Sequence, residues 1–107
     1  SVNGNINVDN NLLVGGVINV NNTLIAHSDI SVNGNINVDN DLIVGDDIKV
    51  DNNLLVGGVI IVGGDIYTGN NLSVGGVINV NNILIAQSEI SVNGNIHISI
   101  NNFLEYF

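Results

Sequence analysis

Isoleucine or leucine recurs at every sixth position across sixteen hexads without an insertion: Ile6, Leu12, Ile18, Leu24, Ile30, Ile36, Leu42, Ile48, Leu54, Ile60, Ile66, Leu72, Ile78, Leu84, Ile90 and Ile96. Two residues after each stands a second apolar residue, usually valine; Ala26, Thr68, Ala86 and Ile98 are the exceptions. Apolar residues at i and i+2 point to one face of an extended chain, so each hexad predicts a short strand with an inward pair. The position after the pair's turn start is Gly, Asn or Asp almost throughout (Gly4, Asn10, Gly16, Asn22, Gly34, Asn40 and onward), with only Ser28 and Ser88 departing. These residue types tolerate positive φ, and the column is read as a recurring corner. Strand, corner, strand with no hydrogen-bond partner inside the hexad predicts an all-β fold: a single-stranded β-solenoid spanning residues 1–107 as one domain.

Three hexads per coil, giving a triangular solenoid of 18 residues, stack positions 18 apart at about 4.8 Å. That register aligns Ile25/Ile43/Ile61, Asn35/Asn53/Asn71 and Asp29/Asp47/Asp65. The asparagine column is expected to bond along the axis. The aspartate column counts against the register, because stacked like charges repel. A longer duplication pulls the other way: residues 11–36 recur at 71–96, differing only at Leu13/Ser73, Thr23/Ile83, His27/Gln87 and Asp29/Glu89. Sixty residues is a whole number of 12-residue coils, whereas in 18-residue coils the copy is rotated by one face. The triangle is preferred, and a flattened 12-residue coil stays open.

Two inward aliphatics per hexad, each contributing roughly 1.5–3 kcal/mol when buried, give the coils cohesion without a disulfide or metal. The formal charge of −9, with Lys49 the one basic residue, disfavours nucleic acid and anionic membrane surfaces. The longest apolar stretch, Leu54 to Gly64, is too short and glycine-rich to span a bilayer as a helix. The glycine pairs (Gly15-Gly16, Gly57-Gly58, Gly63-Gly64, Gly75-Gly76) lack the Lys-Ser/Thr of a phosphate loop and read as corners.

At Val2-Asn3-Gly4-Asn5-Ile6, Val32-Asn33-Gly34-Asn35-Ile36, Val62-Gly63-Gly64-Asp65-Ile66 and Val92-Asn93-Gly94-Asn95-Ile96 the chain resembles bactofilins. The resemblance implies a triangular β-helix that polymerises end to end in the cytoplasm as cytoskeleton. The segments also resemble repeats of viral and bacterial fibre proteins and, more distantly, the hexapeptide-repeat acyltransferases. Few lysines with 23 asparagines and 13 glycines point instead to an extracellular, cell-surface or virion location.

No catalytic constellation is read, and the chain is expected not to be an enzyme. His27 and His97 are the only histidines, neither has a neighbouring carboxylate in the motif, and the duplicate of His27 is Gln87. A base of the acyltransferase kind is therefore not assigned. Asp29, Asp47 and Asp65, with Asp46 and Asp51 nearby, have the oxygen ligands that Ca²⁺ takes, but a solvated acidic face is the preferred reading. No cofactor and no metal are expected. The outward stripe Ile25, Ile43 and Ile61 is expected to pack laterally. Leu13, Tyr67, Ile85 and Phe103 share a second outward column, and Val59 and Val77 are placed on a third face. The hexads run from the first residue, so an open coil edge with Val2 and Ile6 is expected at that end. Residues 101–107, with Phe103, Leu104, Tyr106 and Phe107, read as an aromatic cap or docking tail. The predicted function is structural: a solenoid that self-assembles with copies of itself, coil on coil, into a filament or fibre shaft. The alternative is a fibre module of adhesin or tail-fibre type that binds a ligand or receptor as a discrete oligomer.

Overall fold

In the computed structural model, residues 2–98 are described in full and 104–106 as backbone. Each hexad supplies one three-residue strand and one bend. The first two coils hold β1 (Ile6–Val8), β2 (Leu12–Val14), β3 (Ile18–Val20), β4 (Leu24–Ala26), β5 (Ile30–Val32) and β6 (Ile36–Val38). The next two hold β7 (Leu42–Val44), β8 (Ile48–Val50), β9 (Leu54–Val56), β10 (Ile60–Val62), β11 (Ile66–Thr68) and β12 (Leu72–Val74). β13 (Ile78–Val80), β14 (Leu84–Ala86), β15 (Ile90–Val92), β16 (Ile96–Ile98) and β17 (Leu104–Tyr106) complete the described strands.

The strands stack into three parallel sheets in the orders β1-β4-β7-β10-β13-β16, β2-β5-β8-β11-β14-β17 and β3-β6-β9-β12-β15. Ile6 pairs Leu24, Leu24 pairs Leu42 and Leu42 pairs Ile60, a spacing of 18 residues. The triangular coil is therefore the one formed, in about five turns of a β-solenoid, and the 12-residue coil is not. The duplicated segments sit on different faces, as the 18-residue coil requires: β2 lies in the second sheet and its copy β12 in the third.

The i, i+2 pair explains the core. In β3 through β14 both residues of each pair are buried while the residue between them is exposed or half-buried. Among the described residues Thr68 is the one buried polar residue, and its hydroxyl donates to the Asn70 carbonyl at 3.4 Å. Strands this short have no partner within their own coil, so backbone groups pair between coils: Leu42 N–H donates to the Val59 carbonyl at 2.9 Å, and Asp39 N–H to the Val20 carbonyl at 3.0 Å. The corners pair too, as with Gly58 N–H and the Asn40 carbonyl at 2.8 Å.

The corner glycines serve a different purpose from the one expected. None of the 13 adopts φ between +20° and +160°, so positive φ is not what selects them. Close approach is. A Cβ at Gly57 would collide with the Asp39 carbonyl oxygen one coil below, and one at Gly34 would lie 2.6 Å from the Gly16 carbonyl oxygen.

Two placements differ from the sequence reading. Val59 and Val77 immediately precede β10 and β13, at the corner leading into the first sheet rather than on a face. Phe103 lies outside the described residues, and the position opposite Ile85 belongs to Glu105, because Leu84 pairs Leu104. That final pairing spans 20 residues rather than 18, so the hexad register ends before β17.

Leu42 is 0% exposed in the central coils. Leu42→Ala is expected to lower stability by about 2–5 kcal/mol. Urea unfolding should show a lower midpoint with an unchanged m-value, because the cavity opens in a lumen whose neighbouring coils are held from both sides.

Candidate functional site

Three corner columns, each formed by the residue just before a strand, carry most of the polar chemistry. In them a side-chain oxygen reaches the backbone N–H of the residue one coil further on. Asn35 Oδ1 accepts from Asn53 N–H at 3.0 Å, and Asn53 Oδ1 accepts from Asn71 N–H at 3.1 Å. Asn71 Oδ1 takes the N–H of Glu89 at 3.2 Å. A second column runs from Asn11 through Asp29, Asp47 and Asp65 to Ile83, with bonds of 2.8–3.1 Å. In the third, Asn5 accepts from Thr23 N–H and Asp41 from Val59 N–H. The sequence reading expected asparagine amides to bond one another in the first column and aspartates to repel in the second. Instead both residue types do one job, since each offers an oxygen to a corner N–H. Amide-to-amide bonds do occur, at other positions: Asn21 to Asn3, Asn37 to Asn19, Asn40 to Asn22 and Asn70 to Asn52.

Repulsion survives at one corner. The carboxylate oxygens of Asp29, Asp46 and Asp47 lie within 4.8 Å of one another. The Asp29 charge above all, then Asp47, with smaller contributions from desolvation and Asp65, holds the Asp46 carboxyl above its ordinary value of 3.8. Asp29 and Asp47 already spend an oxygen on the backbone ladder, and we assign no metal to this cluster. The one ion pair among the described residues, Lys49 Nζ to Asp51 Oδ1 at 3.8 Å, is exposed on both sides and contributes little.

The expected lateral stripe is in place but short. Ile25, Ile43 and Ile61 pair in one column of the first sheet, and that column continues into Asn7 at one end and Asn79 at the other. Ile61 is exposed, whereas Ile25 and Ile43 are half-buried. Leu13, Tyr67 and Ile85 share a column of the second sheet that Ser31 and Lys49 interrupt. Missing from the sequence reading was Leu55, exposed on the third sheet between Asn37 and Ser73 and flanked by shallow open grooves. Its presence in an otherwise polar column is the signal that could have found it. His27 and His97 are exposed, and neither is ion-paired among the described residues.

At the coil edges, Val2 bridges Val20, and Ile6 is half-buried at the foot of the first sheet. The backbone of 104–106 continues the second sheet as β17; Phe107, like Phe103, lies outside the described residues. Fold and surface together define a β-solenoid repeat protein. No family model, no curated protein and no solved structure matches the chain, so the likeness to bactofilins rests on the repeat alone.

Two predictions follow from the corner chemistry. Asn53→Ala leaves the Asn71 N–H without its acceptor, a loss of about 1–3 kcal/mol, whereas Asn53→Asp keeps the acceptor and recovers most of it. Faster amide exchange at Asn71 in the alanine variant alone checks this. Asp46 binds its proton more tightly folded than unfolded, so its contribution to stability falls as pH rises through and above the ordinary carboxylate range. Asp46→Asn should therefore raise the melting temperature at neutral pH, with the gain shrinking below pH 3.8 and in high salt.

Proposed function

We propose that this chain is a structural module whose coils continue by axial stacking of copies into a filament or fibre shaft. The carrying observation is the contrast along the inward columns at both ends of the first sheet, the start of the second and the end of the third. Ile6, Val8, Leu12 and Val14 at one edge, and Ile90, Val92, Ile96 and Ile98 at the other, are half-buried, while the same columns between them are closed. One further coil on either edge would bury these aliphatics and pair the backbone groups of the edge strands. Lateral packing of the Ile25/Ile43/Ile61 stripe is a secondary contact in this reading. The prism measures 34 × 24 × 23 Å, so a whole face only just reaches the roughly 800 Å² per partner of a stable interface. The stripe is a fraction of that face. The partner in this proposal is the chain itself, and no enzymatic role, nucleic acid or membrane insertion enters it. A location at a cell surface or virion suits a shaft, and a cytoplasmic filament suits the bactofilin likeness; the assembly chemistry is the same in both.

Negative-stain microscopy and sedimentation of the purified chain over a range of concentrations test the proposal. Thin unbranched filaments are expected, and Ile6→Lys, which puts a charge on one edge of the lumen, should reduce them to single particles with unchanged β circular dichroism. Replacing Phe103, Tyr106 and Phe107 together by Ser measures what the tail adds to the joint. Discrete short particles in every sample would favour the fibre-tip reading, a module that binds along its faces.

A further inference from the structure

We infer that the axial assembly is polar and in phase: the coil edge at residues 92–98 of one copy receives residues 2–8 of the next, head to tail, on the same face. This rests on the axial reading above and adds to it a direction and a rotation.

Direction comes from the side-chain ladders. Among the described residues, thirteen side-chain hydrogen bonds join positions 18 apart, and in all of them the donor belongs to the later coil. Corner oxygens face one end of the prism and corner N–H groups face the other. Backbone edges of a parallel sheet offer both donors and acceptors at either end, so they do not choose between arrangements. The ladders do. Head to head, donors meet donors; tail to tail, acceptors meet acceptors; head to tail, every column continues as it does inside the chain.

Phase comes from a recurrence. Residues 91–98 (SVNGNIHI) repeat residues 1–8 (SVNGNINV) at a distance of ninety, five coils of eighteen. β1 and β16 accordingly cap the same sheet at its two ends. Placing Val2 of the next copy over Val92 sets Asn3 over Asn93, Asn5 over Asn95 and Ile6 over Ile96. Each contact already exists within the chain. Asn over Asn at a corner occurs at Asn53 and Asn35, Asn21 over Asn3 supplies the amide pair, and Ile36 over Ile18 the inward stack. Val2 already bridges Val20 of the third sheet, so over Val92 it would link that sheet from copy to copy. Although the chain carries −9, neither segment contains a carboxylate side chain. The joint is therefore spared the repulsion seen around Asp46.

The chain has no cysteine, which makes cross-linking clean. Asn3 and Asn93 are exposed, and stacked coils sit about 4.8 Å apart, within the Cα separation a disulfide spans. Mild oxidation of assembled N3C/N93C should give a ladder of covalent multimers on a non-reducing gel, with N3C alone and N93C alone remaining single chains. Dimers from N3C alone or N93C alone would establish a non-polar joint and overturn the inference while leaving filaments intact. A stronger ladder from N3C/Q87C would keep the polarity but overturn the phase, since Gln87 occupies the equivalent corner on another face. Absence of any particle larger than one chain, in the parent as in the variants, would remove the axial reading and this inference with it.

Discussion

Everything in this molecule depends on the coil-to-coil backbone ladder holding one spacing. A three-residue strand has no local partner for its N–H and C=O groups, so each must find one in the adjacent coil, seventeen to nineteen residues away. That requirement fixes what a hexad is allowed to contain. Inward positions are small to medium and, apart from Thr68, aliphatic, because each residue stacks on its own column at strand spacing. Corners must be narrow, because carbonyl oxygens of the coil below come within a Cβ's reach of Gly34 and Gly57. A single inserted residue would turn every later inward pair outward. The register holds at eighteen from Ile6 to Ile96 and changes to twenty only at Leu104.

The strand positions and the three-sided coil were legible because period and polarity coincide: each I-x-V pair became a strand. The duplication at a distance of sixty threatened that reading and turned out compatible with it. Because all three faces share one hexad, β12 does on the third sheet what β2 does on the second. The corner chemistry was less legible. From sequence, a column of Asp29, Asp47 and Asp65 is three like charges, and nothing in the one-letter pattern says that each reaches a backbone N–H above it. Likewise the glycines suggested positive φ, whereas at ten of the thirteen it is the proximity of the preceding coil that leaves no room for a Cβ. Outward stripes were readable as columns but not as areas, and only the exposed surface shows that Ile25, Ile43 and Ile61 end against asparagines.

The acidic column shows how the fold tolerates its own charge. A carboxylate in a corner gains a charge-assisted hydrogen bond from the backbone, which offsets the repulsion of its neighbour one coil away. Asn and Asp are therefore interchangeable acceptors at these corners, and the choice between them tunes charge without altering the ladder. Asp46 lies one position before Asp47 and has no such bond, and it is the carboxyl whose proton affinity is raised. Negative charge is thus carried at the corners, away from the lumen, where it favours solubility over side-by-side association.

The same corner bonds give the prism two chemically unlike ends. Along a face the asymmetry is slight: the second sheet's outward column mixes Leu, Ser, Lys, Tyr and Ile without a repeating donor or acceptor, and the third sheet's holds one directed pair, Asn37 to Asn19. Contacts between faces would depend on small apolar areas that any orientation exposes. Contacts between ends carry direction, because each asparagine or aspartate corner points its oxygen the same way. They also carry rotation, because only one of three placements continues the Val-Asn-Gly-Asn-Ile column on itself. In a repeat whose faces are nearly equivalent, the information needed to build a defined polymer is therefore concentrated at the corners and spent along the axis.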